Sequence, residues 1–236
     1  MGRMIFIFLI CAWCLPGPVP AGADPDFTDL RRAMAVRQIK DRGIRDKTVL
    51  AAMETVPRHE FVPRDKRSSA YRDRPLPIGF GQTISQPYIV ALMTELLGVD
   101  ENSRVLEVGT GSGYQAAVLA EIAASVYSVE IVRPLHDRAT GTLKALGYDN
   151  VVTTHADGYH GWEKHGPYDA IIVTCASEFI PPPLIAQLKP GGRMCIPVGP
   201  PFKVQHLVLI EKGKEGKLTT RIIASVRFVP LVRGGN

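Results

Sequence analysis

The stretch Arg104–Glu130, RVLEVGTGSGYQAAVLAEIAASVYSVE, constrains this chain more than any other. It opens with Val105-Leu106-Glu107-Val108, an apolar run of strand length, and continues with glycines at 109, 111 and 113. An alanine-rich helical pattern follows from Tyr114 to about Ala124, then a second strand pattern, Val126–Val129, closed by Glu130. Strand, glycine turn, helix, strand and acid is the arrangement that holds an adenosine-containing ligand at the carboxyl edge of a parallel sheet. Glycine admits positive φ and lets a ligand approach the backbone where a Cβ would collide with it. The first turn of the helix offers unpaired N–H groups, and Glu130 can accept two hydrogen bonds from a ribose diol. A glycine-rich turn with no ligand is the alternative.

The spacing narrows the ligand. It is GxGxG and not the GxGxxG of nicotinamide and flavin sites, and Glu107 stands two residues before the first glycine. A carboxylate there repels a pyrophosphate and attracts a cationic amino-acid tail. Those preferences point to S-adenosylmethionine, which carries an ammonium, a sulfonium and no phosphate.

With 236 residues, 45% of them hydrophobic and 22% charged, the chain suits one folded domain with a full core. The net charge of +5 is modest and spread along the sequence. Neither a basic stripe nor an aromatic-rich acceptor motif supports a nucleic-acid partner. Cys175 and Cys195 lie in apolar runs and read as small buried hydrophobes. With Cys11 and Cys14 in the N-terminal segment, no Cys/His cluster of metal-ligand spacing remains, and no metal is expected.

Residues 1–23 stand apart: Arg3, an apolar run Met4–Leu15, then prolines and Ala21-Gly22-Ala23, a small-x-small cleavage form. This is the order of a signal peptide, and it is too short for a permanent membrane anchor. Export conflicts with a cofactor made in the cytosol. A cytoplasmic location is expected from that need, with an exported one as the alternative.

Residues 24–236 then form a single domain, with a helical cap over 24–80 and a cofactor-binding core over 81–236. Helices are expected over Asp26–Ile44, with Leu30, Met34 and Ile39 inward, and over Asp46–Val56, with Val49, Leu50 and Met53 inward. The basic stretch Arg58–Arg74 reads as an irregular, solvated face. Proline and glycine at 75, 77, 79 and 81 argue against regular structure, and Gln82–Gln86 reads as a polar loop. Pro87 opens a helix to Leu97, which places Ser85 near its N-cap or, alternatively, on a lid over the cofactor cleft. Beyond Glu130 the alternation continues: helix 133–146, strand 151–154, strand 168–174, helix 181–188, a turn at Lys189–Gly192 and strand 193–198. Two further strands, His206–Glu211 and Leu218–Val229, form an antiparallel hairpin. Asp157, at the end of its strand, can accept from an adenine amino group or form a plain Asp-Gly turn. The fold class is therefore α/β, a doubly wound, mostly parallel sheet of Rossmann-like type with a C-terminal antiparallel hairpin and N-terminal helices.

The segments PIGFGQTISQPY, LEVGTGSGYQAAVLA, YDAIIVTCA, LKPGGRMCIPVG and VRFVPLV together resemble the protein-L-isoaspartate O-methyltransferases, class I S-adenosylmethionine-dependent enzymes. The resemblance runs from about Asp26 to Val232. GQTISQP is specific to that family, whereas the glycine motif belongs to methyltransferases generally; Cys175 stands where a small residue such as alanine is expected. The resemblance implies methyl transfer to the α-carboxylate of L-isoaspartyl residues in damaged proteins and peptides, initiating repair through a succinimide. A carboxylate is already a nucleophile at neutral pH, so no catalytic triad is needed, and none can be picked out.

By the same resemblance Ser85 is the active-site serine, orienting the substrate carboxylate without forming a covalent bond, with Thr83 and Ile84 in its loop. Glu107, Gly109, Gly111 and Gly113 line the amino-acid end of the cofactor, Glu130 takes the ribose, and Asp157 with Gly158 flank the adenine. Phe228 and Val229 lie in the segment that lines the peptide, mostly through backbone. A monomer is expected. The competing readings are a methyltransferase for RNA or a small molecule, and a cofactor-binding module without turnover.

Overall fold

A computed structural model of the chain describes residues 26–234, so the signal-like segment 1–23 lies outside the described residues. In chain order the helices are α1 (Thr28–Ala33), α2 (Lys47–Thr55), α3 (Pro87–Leu97), α4 (Tyr114–Ala120), α5 (Arg133–Ala145) and α6 (Pro182–Gln187). The strands are β1 (Leu76–Gly79), β2 (Gln82–Ile84), β3 (Arg104–Val108), β4 (Ser125–Glu130), β5 (Val151–His155), β6 (Tyr168–Val173), β7 (Leu188–Val198), β8 (Gln205–Lys212) and β9 (Leu218–Val226). Among the described residues no helix is long and apolar enough to cross a membrane.

Seven strands form one sheet in the order β5-β4-β3-β6-β7-β8-β9. The first five neighbours pair in parallel, while β8 runs antiparallel to both β7 and β9. This is the doubly wound sheet with a reversed terminal hairpin that the alternation of elements predicts. The chain steps outward from β3 to β5 and then crosses back to β6. The winding reverses between β3 and β6, and a crevice opens at their carboxyl ends. Central parallel strands are covered on both faces, which explains their apolar runs: Val105, Leu106, Ala170, Ile171, Ile172 and Val173 are all buried.

The N-terminal helices share the core of the sheet. Phe27, Met34 and Met53 pack in one cluster with Leu97, Tyr114 and Leu119. Asp46 caps α2 by accepting from the N–H groups of Thr48 and Val49. The first helical segment departs from its expected course. After α1 the backbone widens into a π-helix over Met34–Ile39 and tightens over Lys40–Arg42, ending at Gly43. The altered winding turns Met34, Ala35 and Ile39 into the core, whereas Leu30, expected inward, is half exposed.

Four other expectations are corrected. The Pro/Gly-rich stretch is an antiparallel hairpin, with Leu76 opposite Ile84 and Pro77 opposite Thr83. Phe80 and Gly81 form its turn, both at positive φ, and in a two-stranded ribbon the missing N–H of Pro77 is tolerated at an edge. The division between cap and core at residue 80 falls in this turn. The basic stretch after Pro57 folds into short 3₁₀-helices over Arg58–Phe61 and Arg64–Ser69, and Arg58 is fully buried, not solvated. The turn at Lys189–Gly192 lies within β7 as an irregularity: register passes from Tyr168 opposite Leu188 to Ala170 opposite Arg193. Finally β9 ends at Val226, so residues 227–229 leave the sheet instead of extending it.

Candidate active site

At the end of β3 the backbone turns through Gly109 (φ +96°), Gly111 (φ +54°) and Gly113 (φ +87°) into α4. Gly109 is required twice over. Its φ is left-handed, and an added Cβ would stand 2.6 Å from Oγ1 of Thr174. Thr174, just past β6, donates to the carbonyls of Val108 and Gly109 and so ties the two strand ends at the crevice. Gly113 serves packing: a Cβ there would press on Leu143 of α5 at 3.3 Å.

The loop bounds a cleft that encloses about 730 Å³ of empty space, open solvent at its mouth included. Glu107, Gly109, Gly111, Glu130 and Gly158 line it from the sheet edge; Thr83, Ile84 and Ser85 close it from above, and Val229–Val232 from the tail. Of the residues singled out from the sequence, Gly113, Asp157 and Phe228 do not border this cavity.

Glu107 is fully buried on its floor. Its Oε2 lies 2.5 Å from the Ser128 hydroxyl, which is 2.6 Å from that of Thr110; when the carboxyl is ionised, Ser128 donates to it and Thr110 donates to Ser128. Its Oε1 has no partner among the described residues. Burial pushes the carboxyl up to about 8, opposed by the Ser128 hydrogen bond and assisted by the nearby charge of Glu130. A buried acceptor left without a donor is costly for the protein alone, and a ligand ammonium would satisfy it. The site thus fits the amino-acid end of S-adenosylmethionine. Glu130 accepts from the N–H of Gly111 (2.7 Å) and of Val132 (2.8 Å), which fixes its carboxylate at the cavity wall with lone pairs to spare for a diol.

Asp157 stands just outside the cavity, next to Gly158, which borders it. Its Oδ2 accepts from Nε of Arg233 at 2.9 Å and from the N–H of Gly234 at 3.2 Å, and its Oδ1 from the N–H of Tyr159. The Arg233 guanidinium also lies 3.6 Å above the Tyr159 ring. Through Arg233 and Gly234 the carboxylate of Asp157 fastens the C-terminal tail. Gly158, beside it, borders the cavity and packs tightly on Val108.

A second cavity, about 740 Å³, opens between the β1–β2 hairpin and the tail and includes Pro75, Gln86, Ile89, Arg227 and Phe228. Thr83, Ser85, Thr174 and Val229 border both cavities. Ser85 therefore sits at their junction. It is not the cap of α3: Gln86 holds that position, with its amide on Asp73, and the Ser85 hydroxyl has no partner among the described residues. Phe228 belongs to the second cavity alone, its N–H bonded to the buried Gln205. Cys175 borders the first, but burial raises its thiol well above the ordinary range, so it stays neutral. Among the described residues no group of three His, Cys, Asp or Glu is placed to hold a metal ion.

Sequence reasoning missed Thr174, Ser128 and Thr110. The one available signal was polarity out of place: a threonine closing the apolar run Ala170–Val173, and a serine inside a buried strand.

The sequence profile of the family described as protein-L-isoaspartate(D-aspartate) O-methyltransferase (PCMT) matches residues 31–236. Protein-L-isoaspartate O-methyltransferase 2 of Syntrophobacter fumaroxidans is 54% identical, over 97% of this chain and 96% of its own. Protein-L-isoaspartate O-methyltransferase 1 of Cupriavidus necator is 52% identical, over 98% and 93%. A solved protein-L-isoaspartate O-methyltransferase is 32% identical with a TM-score of 0.76, over 87% of this chain and 66% of that one. A Plasmodium falciparum structure assigned to the same family, in complex with S-adenosyl-L-homocysteine, superposes with a TM-score of 0.73 at 27% identity, over 86% and 99%. With its sheet order, its glycine turn and these matches over nearly its whole length, the chain belongs to the protein-L-isoaspartate(D-aspartate) O-methyltransferase family.

Proposed function

We propose that this chain methylates the α-carboxylate of L-isoaspartyl residues in damaged proteins and peptides, and that the reaction takes place where the two cavities meet at Ser85. The observation that carries the reading is that junction: one cavity suited to the cofactor, a second bordered by the hairpin and the tail, and between them a hydroxyl with no partner among the described residues.

S-adenosylmethionine supplies an electrophilic methyl group when bound. What remains for the protein is to bind, aim and keep dry. Glu107 Oε1 takes the ammonium and Glu130 the ribose, while Gly109 and Gly111 let the ligand reach the backbone. The Ser85 hydroxyl donates to one oxygen of the substrate carboxylate and holds the other in line with the methyl carbon. An ionised carboxylate has no proton to lose, so no base is assigned. Carboxylate and sulfonium neutralise one another as the new O–C bond forms and the C–S bond breaks, which a water-poor junction favours. Thr83 and Ile84 on the hairpin and Val229 on the tail exclude water, and Phe228 borders the peptide. Asp157 with Gly158 flanks the adenine, and Asp157 also holds the tail in place through Arg233.

The test uses the protein with methyl-labelled S-adenosylmethionine and two peptides that differ only in isoaspartate against aspartate. A base-labile label on the isoaspartyl peptide alone is the expected result. Label on neither peptide, or equally on both, would exclude the reading.

A further inference from the structure

Arg58 is the one large charged side chain among the fully buried residues of the described structure that no acid accompanies. It forms no ion pair there. Its Nε donates to the carbonyl of Ala70 at 2.7 Å and its Nη2 to the carbonyl of Ser85 at 2.7 Å; Nη1 has no hydrogen-bond partner. The guanidinium carbon lies 4.8 Å from the ring centre of Tyr114, which itself lines the first cavity. A guanidinium buried without a counter-ion is expensive, and an apolar side chain of similar length would serve packing better. The hydrogen bonds show what is gained: three separate segments, at 58, 70 and 85, are stapled through one planar fork.

From this geometry we infer that Arg58 is a positioning residue for methyl transfer, an inference that rests on the role given to Ser85 above. By gripping the Ser85 carbonyl it fixes the backbone from which the hydroxyl reaches the junction. It also places an uncompensated positive charge behind the point where the substrate carboxylate docks, favouring an anion there. The cofactor cavity owes it no direct contact, so its effect falls on peptide turnover.

The test compares wild-type protein with Arg58→Met, Arg58→Lys and Arg58→Gly. Turnover of an isoaspartyl peptide is measured beside the dissociation constant of S-adenosylhomocysteine. The expected result is a loss of about 10- to 100-fold in kcat/KM for the peptide in all three, lysine included because it cannot bridge both carbonyls. Affinity for S-adenosylhomocysteine should stay within about three-fold, as expected of a group outside that cavity. Added guanidinium ion should raise kcat of Arg58→Gly, and methylammonium should not. Variants that bind S-adenosylhomocysteine normally and turn over peptide at the wild-type rate overturn the assignment. So do variants that lose both properties in parallel without guanidinium rescue, since Arg58 would then hold the fold alone. A wild-type protein that binds S-adenosylhomocysteine but leaves isoaspartyl peptide unmethylated overturns the underlying reaction as well, an outcome visible before any variant is made.

Discussion

Glu107 is held in a state that suits the ligand better than the empty protein. Its carboxyl titrates near 8 in the folded chain, against an ordinary value of 4.5. Between those two values the folded state binds more protons than the unfolded one, so stability falls as pH rises through the window from about 4.5 to 8. The penalty at pH 7 is on the order of 3 kcal/mol. Glu107→Gln should flatten this slope and make the ligand-free protein more stable at pH 7, measured by denaturant unfolding across pH. An ammonium placed on Oε1 draws the carboxyl back to its charged form. Binding of S-adenosylhomocysteine near pH 7 should therefore release close to one proton, read by calorimetry in buffers of different ionisation enthalpy, and Glu107→Gln should abolish the release while weakening binding. Ser85 and Glu130 separate in the opposite sense. Ser85→Ala should slow methyl transfer by about 100-fold, the scale of losing one oriented donor, with cofactor affinity within a few-fold. Glu130→Ala should chiefly weaken the cofactor, and more than a lost ribose contact alone explains, because the same carboxylate holds Gly111 and Val132.

Elements divide according to how local their causes are. The βαβ unit around β3 and α4 was readable because glycine, alanine and β-branched residues each state a local preference there. The hairpin β1–β2 was not, because its prolines and glycines forbid a central strand yet permit an isolated ribbon, and only the turn at Phe80-Gly81 decides between them. Arg58 was misread for a different reason: charge predicts exposure on average, and nothing in the neighbouring residues announces the two carbonyls that receive it. At the glycine turn, Gly109→Ala should cost about 1–3 kcal/mol and abolish cofactor binding, through its positive φ and the collision with Thr174. Ile78, in the hairpin, offers its carbonyl to Arg138 of α5, which fastens the lid at the cofactor side. The tail is fastened separately by Asp157. A chain ending after Val229 should keep its sheet, by circular dichroism, and lose at least about tenfold in affinity for S-adenosylhomocysteine, since a wall of apolar contacts and one ion pair go together.

On the scale of the whole molecule the sheet reverses its winding between β3 and β6, and everything chemical gathers at that reversal. Glu107, Gly109, Gly111 and Glu130, the residues proposed for the cofactor, could be named from sequence because they lie within one βαβ unit, and all four line the first cavity. Ser85, Thr83 and Val229 were found only through the resemblance of their segments to a family, since more than 140 positions separate the hairpin from the tail that meets it. Asp157 shows what motif reading leaves out: its neighbours in sequence suggest an adenine contact, and only the fold reveals its link to Arg233 in the tail. The most direct measurement is a crystal structure with S-adenosylhomocysteine and an isoaspartyl peptide bound together. The ligand amine should lie on Glu107 Oε1 in the first cavity. The peptide should occupy the second, with its isoaspartyl α-carboxylate on the Ser85 hydroxyl and one oxygen facing the sulfur. A peptide carboxylate held elsewhere, with Ser85 still unpartnered, would contradict the account.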